Sequence, residues 1–135
     1  MEYIYLVCEY GYEYDDNNYY RVDNTANPRT AYATLEQAEQ VCNQLNVAEF
    51  KNVFISGDIS DYGSYPYIIK DKCKSKADKL AKKLFKIKLE DCWSEYSKPD
   101  INAENVTLDQ WQEFYKYFNT NWYFVRQVVF TKNDL

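Results

Sequence analysis

Residues 3–14 alternate with a period of two. Ile4, Leu6, Cys8, Tyr10, Tyr12 and Tyr14 share one side; Tyr3, Tyr5, Val7, Glu9 and Glu13, with Gly11, share the other. Alternation among β-branched and aromatic residues reads as a β-strand. Asp15-Asp16-Asn17-Asn18 is a turn signal, because Asx side chains satisfy turn backbones. Tyr19-Tyr20-Arg21-Val22 then reads as the return strand of a hairpin. The other end of the chain carries the matching partner. From Trp122 to Thr131 both faces are apolar apart from Arg126, so this strand is expected to be central or covered by a helix. Its hydrophobic strength predicts pairing with the first strand.

Helical spacing fills the middle. Thr34 and Gln37 form a capping box, and Leu35, Ala38, Val41, Cys42 and Leu45 follow on one face, ending near Asn46. Ser75 and Asp78 open a long helix over 74–96, with a stripe running from Ala77 to Tyr96. Thr107 and Gln110 repeat the capping box ahead of Leu108, Trp111, Phe114, Tyr115 and Phe118. Asn24–Pro28 reads as a loop and Arg29–Ala33 as a short strand; Val53–Ile55 and Tyr67–Ile69 read as short strands. Strands at both ends around helices predict an α+β fold, an antiparallel sheet with three helices packed on one face. A length of 135 residues predicts one domain, 1–135.

The chain has no histidine. That removes Ser-His-Asp and Cys-His catalysis and His-ligated metals. Cys8, Cys42, Cys73 and Cys92 contain no CxxC pair, so reduced thiols are expected and no metal or cofactor. Asp58, Asp61 and Asp71 fit no EF-hand spacing, and no phosphate loop or nucleophile elbow occurs. The expectation is a non-enzymatic protein. The N-terminus lacks a basic n-region and a long apolar stretch, and no apolar run is long enough to span a membrane, so a cytoplasmic protein is expected.

Charge is unevenly spread. Residues 1–69 carry three basic and eleven acidic side chains, 70–88 nine Lys and two Asp, and 89–135 four basic and eight acidic. The overall acidity argues against nucleic acid as a partner. Lys72, Lys76, Lys79, Lys83 and Lys86 fall at helical spacing and form a candidate contact, with Arg126, for an acidic partner or phosphate. A solvated helix face explains the same lysines. The second candidate is the acidic, tyrosine-rich hairpin: Tyr10, Tyr12, Glu13, Tyr14, Asp15, Asp16, Tyr19, Tyr20 and Arg21. Tyr offers large contact area at low entropic cost, although cross-strand Tyr pairing within a sheet would also use these residues.

Tyr3-Ile4-Tyr5-Leu6-Val7, the polar hairpin and Ala31-Tyr32-Ala33-Thr34-Leu35-Glu36-Gln37-Ala38-Glu39 resemble small uncharacterised bacterial and phage one-domain proteins, in which a strand pair leads into a Thr- or Ser-capped helix. The resemblance covers about the first 50 residues and transfers no functional residue. It implies a small cytoplasmic accessory protein or a phage–host conflict inhibitor. The leading expectation is therefore recognition of a protein partner, which includes a second copy of the chain. The alternative is a small-ligand or nucleotide-binding protein, with Tyr stacking on a base and Lys or Arg126 holding phosphate.

Overall fold

The alternation at the N-terminus becomes strand β1, Glu2–Tyr14, and the hairpin returns as β2, Tyr19–Tyr32. The last strand, β3, is Tyr123–Phe130. These coordinates come from a computed structural model that describes residues 2–15 and 19–130, the side chains of 23–26 and 130 excepted. The expected turn residues Asp16, Asn17 and Asn18 lie outside the described residues, as does Thr131. The strands form a sheet of order β2-β1-β3. β1 and β3 pair antiparallel as expected, with Ile4 opposite Val128, Leu6 opposite Arg126, Val7 opposite Val125 and Cys8 opposite Phe124. β3 lies beside the central β1 at an edge. The loop expected at Asn24–Pro28 does not form, because β2 runs through it. β2 is the other edge strand, the position in a sheet that tolerates a proline such as Pro28.

The helices are α1, Leu35–Ser56; α2, Lys74–Phe85; and α3, Leu108–Tyr115. Together with the sheet they make the expected α+β fold. The described residues divide into two compact units. One draws on residues 2–13, 20–46 and 121–130, the other on 14–15, 19 and 47–120.

In the first unit, the opening half of α1 covers one sheet face. Gln37 N–H donates to Thr34 Oγ1 at 3.2 Å, starting the helix where its cap predicts. Val7, Ala38 and Cys42 form the buried centre, with Tyr5, Tyr32, Val41, Leu45, Tyr123 and Val125 packed around them.

α1 does not end at Asn46. The Asn46 side chain, 6% exposed, is bonded to the sheet rather than capping the helix. Its Nδ2 donates to Tyr123 O at 3.0 Å, and its Oδ1 accepts from Trp122 N–H at 2.7 Å and Tyr123 N–H at 2.9 Å. The helix continues because Val47, Phe50, Val53 and Phe54 extend its buried face. The strand expected at Val53–Ile55 is therefore its last turn. It stops at Gly57, whose φ of 84° suits a residue without Cβ.

The second unit is packed from rings. Phe50 meets Trp111, Phe114, Tyr115 and Phe118 at centroid distances of 4.8–6.2 Å. Phe54 meets Phe85, Trp111 and Phe114 at 5.1–6.1 Å. α3 opens on the predicted capping box, with both reciprocal bonds between Thr107 and Gln110 formed.

α2 differs from its expectation at both ends. Cys73 is the N-cap and makes no side-chain bond, whereas Ser75 lies inside the helix. Asp78 binds Lys74 Nζ at 3.0 Å and the Tyr65 hydroxyl at 3.2 Å instead of capping. The helix ends at Phe85, since Lys86 turns left-handed at φ 58°. Leu89–Trp93 resumes as a 3₁₀ turn that still buries Leu89 and Cys92. The apolar stripe thus persists while the chain leaves the helix, and Tyr96 stands 95% exposed. Tyr67–Ile69 is a turn rather than a strand, because Ile68 and Ile69 N–H bond back to Ser64 and Pro66. Ile69 forms an isolated bridge to Phe118.

Candidate interaction surface

Within the first unit, α1 covers the sheet face that carries Tyr5, Val7, Tyr123 and Val125. The ladder register therefore places Ile4, Leu6, Cys8, Phe124, Arg126 and Val128 on the opposite face. Cys8 is buried among its neighbours, Ile4, Leu6, Phe124 and Val128 are half-buried, and Arg126 is exposed. Nearby, Tyr10 stacks on Phe124 at 4.3 Å and 29°. The Arg21 guanidinium sits 4.2 Å over the Tyr10 ring, and its Nη1 donates to Asn121 Oδ1 at 2.9 Å. The Tyr12 hydroxyl donates to Asn121 O. Six sequence candidates, Tyr10, Tyr12, Glu13, Tyr20, Arg21 and Arg126, thus belong to this unit's sheet, and Tyr10, Tyr12 and Arg126 share its face opposite α1. The sequence had grouped Arg126 with the lysines instead.

The hairpin candidates make further contacts. The Tyr20 hydroxyl donates to Glu13 Oε2 at 2.8 Å. In the second unit Tyr14 tilts against Tyr19 at 5.1 Å, and Tyr19 stacks on Tyr62 at 5.2 Å. Tyr19 and Tyr62 line a cleft of about 360 Å³ with Glu49, Asp58 and Asp61. Asp15 is exposed, and Asp16 lies outside the described residues.

The lysine stripe does not form one continuous helical row. Lys76, Lys79 and Lys83 lie in α2, whereas Lys72 precedes its N-cap and Lys86 is its C-cap. Lys72 and Lys86 have φ of 66° and 58°. All five are exposed.

Burial pushes the thiols of Cys8, Cys42 and Cys92 up. Burial pushes Cys92 up to about 11, helped by the neighbouring Asp91 carboxylate and opposed by Lys98. Burial also raises Cys42, with Glu39 and Cys8 adding to it, and raises Cys8 against the lowering field of Arg126. Tyr65 is raised by burial, with Lys74 and Asp78 acting on it in both directions. A thiol kept neutral behaves as a small apolar group. Among the described residues, no group of three or more His, Cys, Asp or Glu could hold a metal ion. Among them too, no helix is long and apolar enough to cross a membrane.

Asn46, Asn121 and Phe124 position this surface and were not singled out from the sequence. Alternation in 122–131 placed Phe124 on an apolar face, whereas Asn46 was marked only as the expected end of a helix and nothing local marked Asn121. No family model matches the chain, and neither curated proteins nor solved structures yield a match.

Proposed function

We propose that this chain is a non-enzymatic binding protein that recognises a protein partner through the sheet face opposite α1. One observation carries the reading. An apolar strip of Ile4, Leu6, Phe124 and Val128 is left uncovered by the unit's own helix and is accompanied by Arg21 and Arg126. Interface cores favour aromatic residues and Arg, because both bury large surfaces while offering a directed polar contact. The Arg21–Tyr10–Phe124 stack holds its side chains in place before binding, which lowers the entropy lost on association. The partner suited to this face has an apolar patch with carboxylates beside it. A cytoplasmic accessory or inhibitor role carries over from the sequence.

Arg126→Glu is the direct test, because Arg126 is exposed and its replacement leaves the ladder intact. With the wild-type chain as bait, Arg126→Glu loses the captured partner while its far-ultraviolet circular dichroism is unchanged. Lys76→Glu with Lys79→Glu retains the partner. Capture that survives Arg126→Glu and fails in the lysine variant overturns the reading. Wild-type self-association abolished by Arg126→Glu identifies the partner as a second copy.

A further inference from the structure

The second unit contains a cleft of about 340 Å³ beside the C-terminus of α2 and the start of α3. Its polar lining is Lys83, Lys86, Asn102, Asn105 and Gln110, and Phe85 and Val106 are among its apolar walls. The chemistry of that lining is one-sided. Asn102 Oδ1 already accepts the Glu104 N–H at 3.1 Å, and Gln110 Oε1 accepts the Thr107 N–H at 2.9 Å. Backbone donors therefore fix which end of each amide is oxygen. The N–H2 groups of Asn102 and Gln110 remain as donors for a ligand. Two lysines and these amides line one volume, and no carboxylate does.

Lys86 also gives the site a clean probe. It closes α2 in the left-handed region at φ 58°, where glycine fits without strain. Lys72 shares that conformation without lining the cleft, so the lining carries the inference and the backbone of Lys86 supplies the test. Lys82 and Lys83 in the last turn of α2 also complement the helix dipole, which accounts for positive charge there but not for the amides.

We infer that this cleft binds a small organic oxyanion, a carboxylate or phosphomonoester attached to an apolar body. The ammonium and amide donors hold the oxyanion, and Phe85 and Val106 take the apolar part. This site is independent of the sheet-face reading and can stand or fall without it.

The test is a titration of the full chain with phenyl phosphate, benzoate and inorganic phosphate at constant ionic strength. The amide N–H2 signals of Asn102, Asn105 and Gln110 are followed by nuclear magnetic resonance. Phenyl phosphate or benzoate is expected to move them saturably, with half-saturation below about 1 mM, and to do so more tightly than inorganic phosphate. Which of the two saturates first assigns the headgroup. Lys86→Gly separates binding from folding, because glycine relieves the backbone while removing the ammonium. This variant melts at or above the wild-type temperature and binds at least about tenfold more weakly, the change expected for losing one charge-assisted contact. Shifts that follow ionic strength whichever anion is added overturn the inference, and so does Lys86→Gly binding as tightly as wild type.

Discussion

The buried cluster between sheet and helix in the first unit is built from Val7, Ala38 and Cys42, all small, whereas the second unit buries Phe50, Phe54, Trp111 and Phe114. The first compensates with directed bonds. It has the β1–β3 ladder, the three contacts of Asn46 and the brace of Asn121 on Arg21 and Tyr12. The second relies on ring area, with α3 having only eight residues and α2 twelve. Small cores need geometry to stay ordered, while large rings supply non-directional burial. The two units should therefore fail in different ways.

The sharpest contrast comes from Phe50→Ala. The ring is 0% exposed and meets five other aromatic side chains, so its removal leaves a cavity costing about 3–5 kcal/mol in urea unfolding. A loss under about 1.5 kcal/mol would mean that the aromatic packing relaxes and is not what holds this unit. Asn46→Ala comes next. It strips the Asn46 contact from the Trp122 and Tyr123 N–H groups, costing about 2–3 kcal/mol, while the Tyr123 carbonyl keeps Asn121 Nδ2. Amide exchange should speed up at Trp122 and Tyr123 in this variant, and unchanged protection there would break the contrast.

Alkali provides the smallest effect. Cys92 has its pKa raised from 9.0 to about 11, so the unfolded chain loses this proton first. Stability from keeping the thiol neutral is complete below pH 9 and falls as pH rises towards 11, by on the order of 2 kcal/mol. Tyrosine and lysine ionisation overlap this window, so the measurement is the difference between wild type and Cys92→Ala. Equal pH slopes in the two proteins would show that Cys92 contributes nothing to alkaline destabilisation.

Local signals were legible wherever a short pattern specified an element. Alternation marked β1 and β3, the Thr107–Gln110 box marked the start of α3, and Thr34 marked the start of α1. Ends were harder to read. Asn46 resembled a helix stop because Asn favours caps, yet its partners lie 76 and 77 residues away. The α2 stripe continued through Leu89 and Cys92 even though the helix had ended, because burial persisted after the left-handed turn at Lys86. Of the candidate surface, Tyr10, Tyr12, Arg21 and Arg126 were named in advance, but in separate groups, since strand register is a long-range property.

The sequence by itself determined the α+β class, the pairing of first and last strands, and which residues of β1 share a face. The class and the shared face follow from periodicity, which is encoded over a few neighbouring residues, and the pairing from the hydrophobic strength of the two strands. Only the tertiary structure decided which face α1 covers. Ile4, Leu6, Cys8, Tyr10 and Tyr12 lie on the side of β1 whose one acid is the terminal Glu2, with Glu9 and Glu13 on the other, yet α1 packs on the side of Tyr5 and Val7. Alternation separates the two faces of a strand but carries no information about what lies above either one. That choice is made by contacts between segments distant in sequence, where Ala38 and Cys42 fit against Val7 and Asn46 holds the start of β3.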